Sequence, residues 1–267
     1  MPRERARPSF RWRFWLSALA WCAVFVSSAL AARQAHRFML RDPQFIFSRE
    51  DRHALTLDGV TYAARSKILR VFAGDYGHSI FAVPLDERRR RLLAVDWVED
   101  AAVARVWPNH LLVRITERRP VAFVSLPLYR GSGQAARFLL VDAQGVLLDP
   151  PGEAQFSFPV LSGVREDESD SQRREQVRAL LRLEEDLGPL AKDISEVNAA
   201  DPSDLRMVAQ VDNRAVELAM GDDDFGRRYR NFLNHYPDIR RTSPDVNSFD
   251  LRLEDRITAK GIAASWR

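Results

Sequence analysis

Five histidines, His36, His53, His78, His110 and His235, are the side chains best suited to metal binding or acid–base chemistry, and they are scattered over 267 residues. They show no metal-ligand spacing, and none stands beside a candidate nucleophile in a recognisable motif. Asp222-Asp223-Asp224 has the charge for calcium but lacks the alternation and the glycine of a calcium loop, so Asp222 is read as a helix cap. Gly131-Ser132-Gly133 lacks the third glycine and the strand-to-helix setting of a phosphate loop, and it is read as a plain connection. Carboxylate pairs such as Glu184-Glu185 fall on an exposed helix face by their spacing. The only cysteine, Cys22, lies in an apolar run, so the rest of the chain holds neither a disulfide nor a thiol catalyst. The residues therefore predict no enzyme, no cofactor, no metal and no small-molecule substrate.

The elements that would position any site begin with that apolar run. Phe14 to Ala32 is nineteen residues without a charge, about 28 Å of helix at ~1.5 Å per residue, close to a hydrocarbon core of ~30 Å. Arg3, Arg5, Arg7, Arg11 and Arg13 precede it against a single Glu4, which predicts a cytoplasmic N-terminus and an exported remainder. A cleaved signal peptide is the rival, because Ala29-Leu30-Ala31 fits a small-x-small cleavage site, although such apolar regions usually run ~7 to 15 residues. The formal charge of +3 and pI of 9.3 suggest nucleic acid at first sight, yet 40 basic residues, all but three of them arginine, face 37 carboxylates. That is a mixed surface, and export makes a nucleic-acid partner improbable. The run Arg88 to Arg91 follows Asp86-Glu87 and reads as a solvated helix face.

The expected layout is α+β: a cytoplasmic tail over 1–13, a transmembrane helix over 14–32, a polar linker over 33–44 closed by Asp42-Pro43, and two domains over 45–118 and 119–267. The first domain reads strand, helix, helix, strand, strand. Its strand is placed at His53 to Leu57 before the turn Asp58-Gly59, and its first helix at Thr61 to Phe72, with Ile68, Leu69 and Phe72 on one face. A second helix starts at Pro84. A hairpin follows with arms Ala101–Val106 and Leu111–Glu117, where Leu111, Val113 and Ile115 alternate with Leu112, Arg114 and Thr116. In the second domain Val121–Leu126, Arg137–Val141 and Val146–Leu148 read as a meander. A helix over Glu175–Leu187 stops at Gly188-Pro189, strands follow at 194–199, 205–211 and 215–219, and an amphipathic helix carries Phe225, Tyr229, Phe232 and Leu233. Asn247–Leu253 and Ile257–Ala259 close the chain as strands.

These residues carry a resemblance. Asp96-Trp97-Val98, then Ala102-Val103-Ala104-Arg105-Val106-Trp107-Pro108, then Leu111-Leu112-Val113-Arg114-Ile115-Thr116-Glu117-Arg118-Arg119-Pro120-Val121-Ala122 resemble the hairpin of the FtsQ/DivIB family of bacterial cell-division proteins. Leu140-Val141-Asp142-Ala143-Gln144-Gly145, Leu218-Ala219-Met220-Gly221 and Phe249-Asp250-Leu251-Arg252 are similar to further family motifs. The resemblance implies one membrane helix, a POTRA domain and a β-rich domain carrying two helices.

It also implies a non-catalytic scaffold in the inner (plasma) membrane, at the division septum. Such a scaffold binds the FtsB and FtsL (DivIC) coiled-coil proteins, contacts FtsK and FtsW-type proteins, and helps control septal peptidoglycan synthesis. By the resemblance the partner adds a strand to the edge left by the last strand, which assigns partner binding to Leu251, Arg252, Leu253, Asp255, Arg256, Ile257, Thr258 and Ala259. Within that set Leu253 is the expected apolar anchor and Arg252 the expected outward partner of a carboxylate, while strand alternation turns Leu251 toward the core. A POTRA-containing secretion or envelope-assembly factor is the alternative reading, although no β-barrel or repeated POTRA unit is visible in the sequence.

Overall fold

The computed structural model describes residues 11–51, 53–130, 133–152, 154–253 and 256–259. The chain forms two compact units, Met1–Glu117 and Arg118–Arg267.

The first unit opens with helix α1 (Arg11–Arg41). Its stretch from Phe14 is long and apolar enough to cross a membrane by length and composition. The linker expected over 33–44 is helical as far as Arg41, because nothing breaks the helix before Pro43 forces Asp42 into an extended conformation (φ −70°, ψ 129°). Asp42 then accepts the Gln44 N–H and caps a short 3₁₀ turn over Pro43–Phe45.

Strand β1 (Leu55–Asp58), helices α2 (Arg65–Val71) and α3 (Leu85–Leu92), and strands β2 (Val98–Val106) and β3 (His110–Glu117) follow in the expected β-α-α-β-β order. The sheet order is β1-β3-β2, with β3 antiparallel to β2 and parallel to β1. Leu111, Val113 and Ile115 are buried as the alternation predicts, as are Ile68 of α2, Phe72 just after it and Leu92 of α3.

Three local expectations change. Strand β1 begins at Leu55 rather than His53. Helix α2 is shorter than the span Thr61–Phe72, because the Glu117 carboxylate accepts the Thr61, Tyr62 and Ala63 N–H groups and holds them outside the helix. Arg88 leaves the solvated face: its guanidinium lies almost buried in a two-point pair with Asp75 at 2.7 Å for each contact, and the bond to Asp75 raises its pKa further.

The second unit contains β4 (Pro120–Arg130), β5 (Gly133–Asp142), β6 (Leu147–Leu148), β7 (Val160–Ser162), helix α4 (Asp170–Leu187), β8 (Ile194–Asn198), β9 (Leu205–Val211), β10 (Arg214–Gly221), helix α5 (Phe225–Thr242), β11 (Ser248–Asp250) and β12 (Thr258–Ala259). Among the described residues these strands form one sheet in the order β12-β11-β10-β9-β8-β7-β4-β5-β6. One face carries Val124, Leu139, Val141, Leu161, Val197, Met207, Val216 and Leu218 into a core closed by Val177, Leu180 and Leu183 of α4 and Tyr229 and Phe232 of α5.

The meander holds for β4-β5-β6, while β7, absent from the sequence reading, pairs in parallel with both β4 and β8. Helix α4 starts five residues before Glu175, where Ser169 and Gln172 form a reciprocal capping box, a device worth about 1 kcal/mol. Asp142 explains one family motif: its buried carboxylate accepts the Gln144 and Val146 N–H groups at 2.9 and 2.8 Å and pairs with Arg118 at 2.8 Å. Gly145, at φ +81°, admits the close pass of α4, since a Cβ there would stand 2.6 Å from the Arg174 nitrogen.

Candidate functional site

The end of the long sheet is built on α5. Phe225, Tyr229, Phe232 and Tyr236 recur at spacings of four, three and four and are all buried, which fixes one helical face against the sheet. Burial, with the nearby Asp193 charge adding to it, pushes the Tyr229 hydroxyl up to about 12. Phe249 of β11 meets Phe232 with ring centroids 5.1 Å apart, and Leu251 continues into the core with its N–H donated to the Ala219 carbonyl at 2.9 Å. The chain then crosses to β12, which pairs antiparallel with β11 through Phe249–Ala259 and Asp250–Thr258.

Backbone direction at this edge follows from the register. Leu251 N–H points to β10, so Asp250 faces β12 and its partner Thr258 faces back. Ile257 and Ala259, one residue to either side of Thr258, turn their backbone groups away from the sheet.

Beside this edge lies an open groove of about 280 Å³ lined by Arg227, Arg228, Asn231, Leu251, Leu253, Arg256 and Ile257. Its lining mixes three apolar side chains, Leu251, Leu253 and Ile257, with three arginines and Asn231. Leu253 is 53% exposed, a large apolar side chain presented at the mouth. Arg228 is anchored by donating to the Met220 carbonyl at 2.5 Å and by pairing with Asp223 at 2.7 Å. Gly221, at φ +78°, permits this approach, since a Cβ would stand 2.9 Å from the Arg228 guanidinium.

The eight residues singled out from the sequence separate into groups. Leu253, Arg256 and Ile257 line the groove, and Thr258 and Ala259 form the edge strand. Leu251 reaches the groove wall but is chiefly core, at 2% exposure. Arg252 is held within the chain: its guanidinium donates to Asp250 at 2.9 Å and pairs with Asp204 at 3.4 Å, and the Asp250 bond raises its pKa. Asp255 lies outside the described residues.

Asp222 is not the helix cap. Asp224 occupies that position in a left-handed conformation (φ 51°) with no side-chain capping bond. The carboxylates instead go to arginines of α5, Asp223 to Arg228 and Asp224 to Arg227, each at 2.7 Å. Glu184 is half-buried rather than exposed, and burial raises the pKa of its carboxyl group. Of the histidines, His235 contacts the Asn231 carbonyl through Nδ1 at 2.9 Å and His110 lies 3.4 Å from Asp51.

Sequence reasoning missed Arg227, Arg228 and Asn231. Their signal was available in outline, since they occupy α5 positions that alternate with the buried aromatic stripe.

Comparison with known proteins matches the two units separately. Residues 54–118 match the model of the POTRA domain, FtsQ-type, and residues 133–252 match that of the cell division protein FtsQ/DivIB, C-terminal. The chain belongs to the FtsQ/DivIB family of cell-division proteins. It is 33% identical over 217 residues to the cell division protein FtsQ of Koribacter versatilis, an alignment covering 79% of this chain and 60% of the relative. FtsQ of Alcanivorax borkumensis is 28% identical over 222 residues, 79% of this chain and 74% of that protein. FtsQ of Bordetella pertussis is 34% identical over 80 residues, 30% of this chain and 29% of the relative. The family match ends at Arg252, so the groove residues of the final segment lie beyond it.

Proposed function

We propose that the protein is a non-catalytic scaffold of the division machinery. Helix α1 spans the inner membrane with its N-terminus in the cytoplasm, and the POTRA and β-rich units stand outside at the division septum. The β12 edge and its groove receive an extended segment of an FtsB/FtsL-type (DivIC-type) coiled-coil partner, and the POTRA unit recruits FtsK- or FtsW-type proteins. Through these contacts the scaffold helps control septal peptidoglycan synthesis.

One observation carries the reading: the last strand among the described residues, with outward backbone groups at Ile257 and Ala259, lies beside a groove lined by Leu251, Leu253, Ile257 and three arginines. Added strands gain affinity from backbone hydrogen bonds and specificity from alternate side chains. Here Leu253 and Ile257 offer apolar contacts to the added segment.

Co-purification of the full-length protein with its coiled-coil partners tests the proposal. Leu253→Lys and Thr258→Pro are each expected to abolish capture while circular dichroism of the variants is unchanged. Undiminished capture by both variants overturns the assignment.

A further inference from the structure

The POTRA unit presents a second surface, at the foot of α1. Phe38 of α1 meets Phe45 at 5.9 Å between ring centroids, Phe45 meets Trp107 at 5.2 Å and Phe81 at 5.3 Å, and Phe81 meets Trp107 at 6.0 Å. Only Phe45 is fully buried. Trp107 is 64% exposed, Phe38 52% and Val106 45%, so the hairpin tip and the last turns of α1 share an open aromatic face.

The face is firmly held. Ser79 donates its hydroxyl to the Met39 carbonyl at 2.7 Å, and the Ile80 N–H reaches the Phe45 carbonyl at 2.9 Å. Arg105 donates to the Ile80 and Val83 carbonyls at 2.6 and 2.7 Å, fixing the loop that carries Phe81 beside the tip.

Its position along the helix suggests what covers it. Phe38 stands six residues beyond Ala32, about 9 Å along the axis past the apolar run, and helical side chains lean toward the N-terminus, here toward the bilayer. The interfacial layer is roughly 5–7 Å deep on each side of the hydrocarbon core. Arg33, Arg37 and Arg41 recur at intervals of four on the same stretch of helix, where their long side chains can reach lipid phosphates. Tryptophan is enriched at the headgroup level of membrane–water interfaces.

We infer that the β2–β3 hairpin tip of the POTRA unit rests in the headgroup layer of the bilayer that α1 spans. Trp107, Phe81 and Phe38 form the contact and the α1 arginines engage lipid phosphates. The surface rests on the spanning role of α1 and is independent of partner binding at β12.

The test uses the full chain in nanodiscs of phosphatidylcholine and phosphatidylglycerol, with no other protein present. Val106→Cys and Glu99→Cys are each made in a Cys22→Ser background, and wild-type Cys22 serves as a control for the span. Glu99 lies seven residues from Val106 on β2, roughly 23 Å away at ~3.3 Å per residue. Each cysteine carries an environment-sensitive fluorophore, quenched by a lipid with a nitroxide just below its headgroup.

The label at Val106 is expected to emit at shorter wavelength and to be quenched severalfold more than the label at Glu99. Asn109→Cys, at the same tip, is expected to report the same depth. Labels at Val106 and Asn109 as water-exposed as the one at Glu99, with Cys22 still in the bilayer, overturn the inference and leave the span intact. A water-exposed Cys22 overturns both.

Discussion

Among the described residues strands β2 and β12 both end a sheet, and they treat the exposed backbone in opposite ways. Strand β2 has nine residues. Because Leu111 N–H points to β1, the register turns Ala101, Val103 and Arg105 of β2 outward. The Ala101 carbonyl on this edge is taken by Arg89 at 2.7 Å, and the same guanidinium is fixed by Asp100 at 2.7 Å. Strand β12 has two residues and lies beside the groove lined by apolar side chains and arginines together. A long open edge invites unwanted pairing, whereas a short one can remain open with little hazard. One outward carbonyl of the POTRA edge is thus already occupied from within the fold, while the β12 edge stands beside the groove where an added strand is proposed.

The largest expected effect tests this occupancy through its support. Asp75→Ala removes the two-point partner of the almost buried Arg88, leaving it only Glu87 at 3.3 Å, and loosens α3, which carries Arg89; the POTRA unit should lose about 3 kcal/mol in chemical denaturation. A loss below about 1 kcal/mol would show that α3 is held by packing alone.

At the other edge, Ala259→Pro removes an outward N–H and leaves a partner carbonyl unpaired, a cost of about 1–3 kcal/mol in binding. Isothermal titration with the coiled-coil partner should show this loss with the enthalpy reduced, and equal affinity would move the added strand away from Ala259. Arg89→Ala should cost about 0.5–1.5 kcal/mol by freeing the Ala101 carbonyl. Light scattering should then show more self-association of the full chain in detergent, and an unchanged mass distribution would remove the guarding role from Arg89. The smallest effect is on stability in Leu253→Lys, within about 0.5 kcal/mol because the side chain is already exposed. A larger loss in thermal melts would make Leu253 a packing residue rather than an anchor for a partner.

Much of this architecture was legible because it is written in local periodicity. The β2–β3 hairpin follows from Leu111, Val113 and Ile115 at a spacing of two, and α5 follows from its aromatic stripe. The failures have equally local causes. Strand β7 is three residues long and pairs with two parallel neighbours, so it shows no period. The start of α4 lies in a charged stretch where only the Ser169–Gln172 box marks it. The groove draws Arg227, Arg228 and Asn231 from α5 and Leu253, Arg256 and Ile257 from the final segment, so no window of sequence contains it.

Local sequence alone specifies the apolar helix, the β-α-α-β-β order of the first unit, the alternation of the hairpin and the motifs that mark the family. Each depends on neighbours within a few residues, or on an uncharged run long enough to match a bilayer. Only the tertiary structure decided that Arg88 would be buried on Asp75, that Arg252 would be engaged by Asp250 and Asp204, and that β12 would end the sheet beside α5. Those outcomes depend on which distant segments meet. A charge is committed or available according to the carboxylate that folding brings to it, and a strand becomes an edge only when the rest of the sheet has found its order.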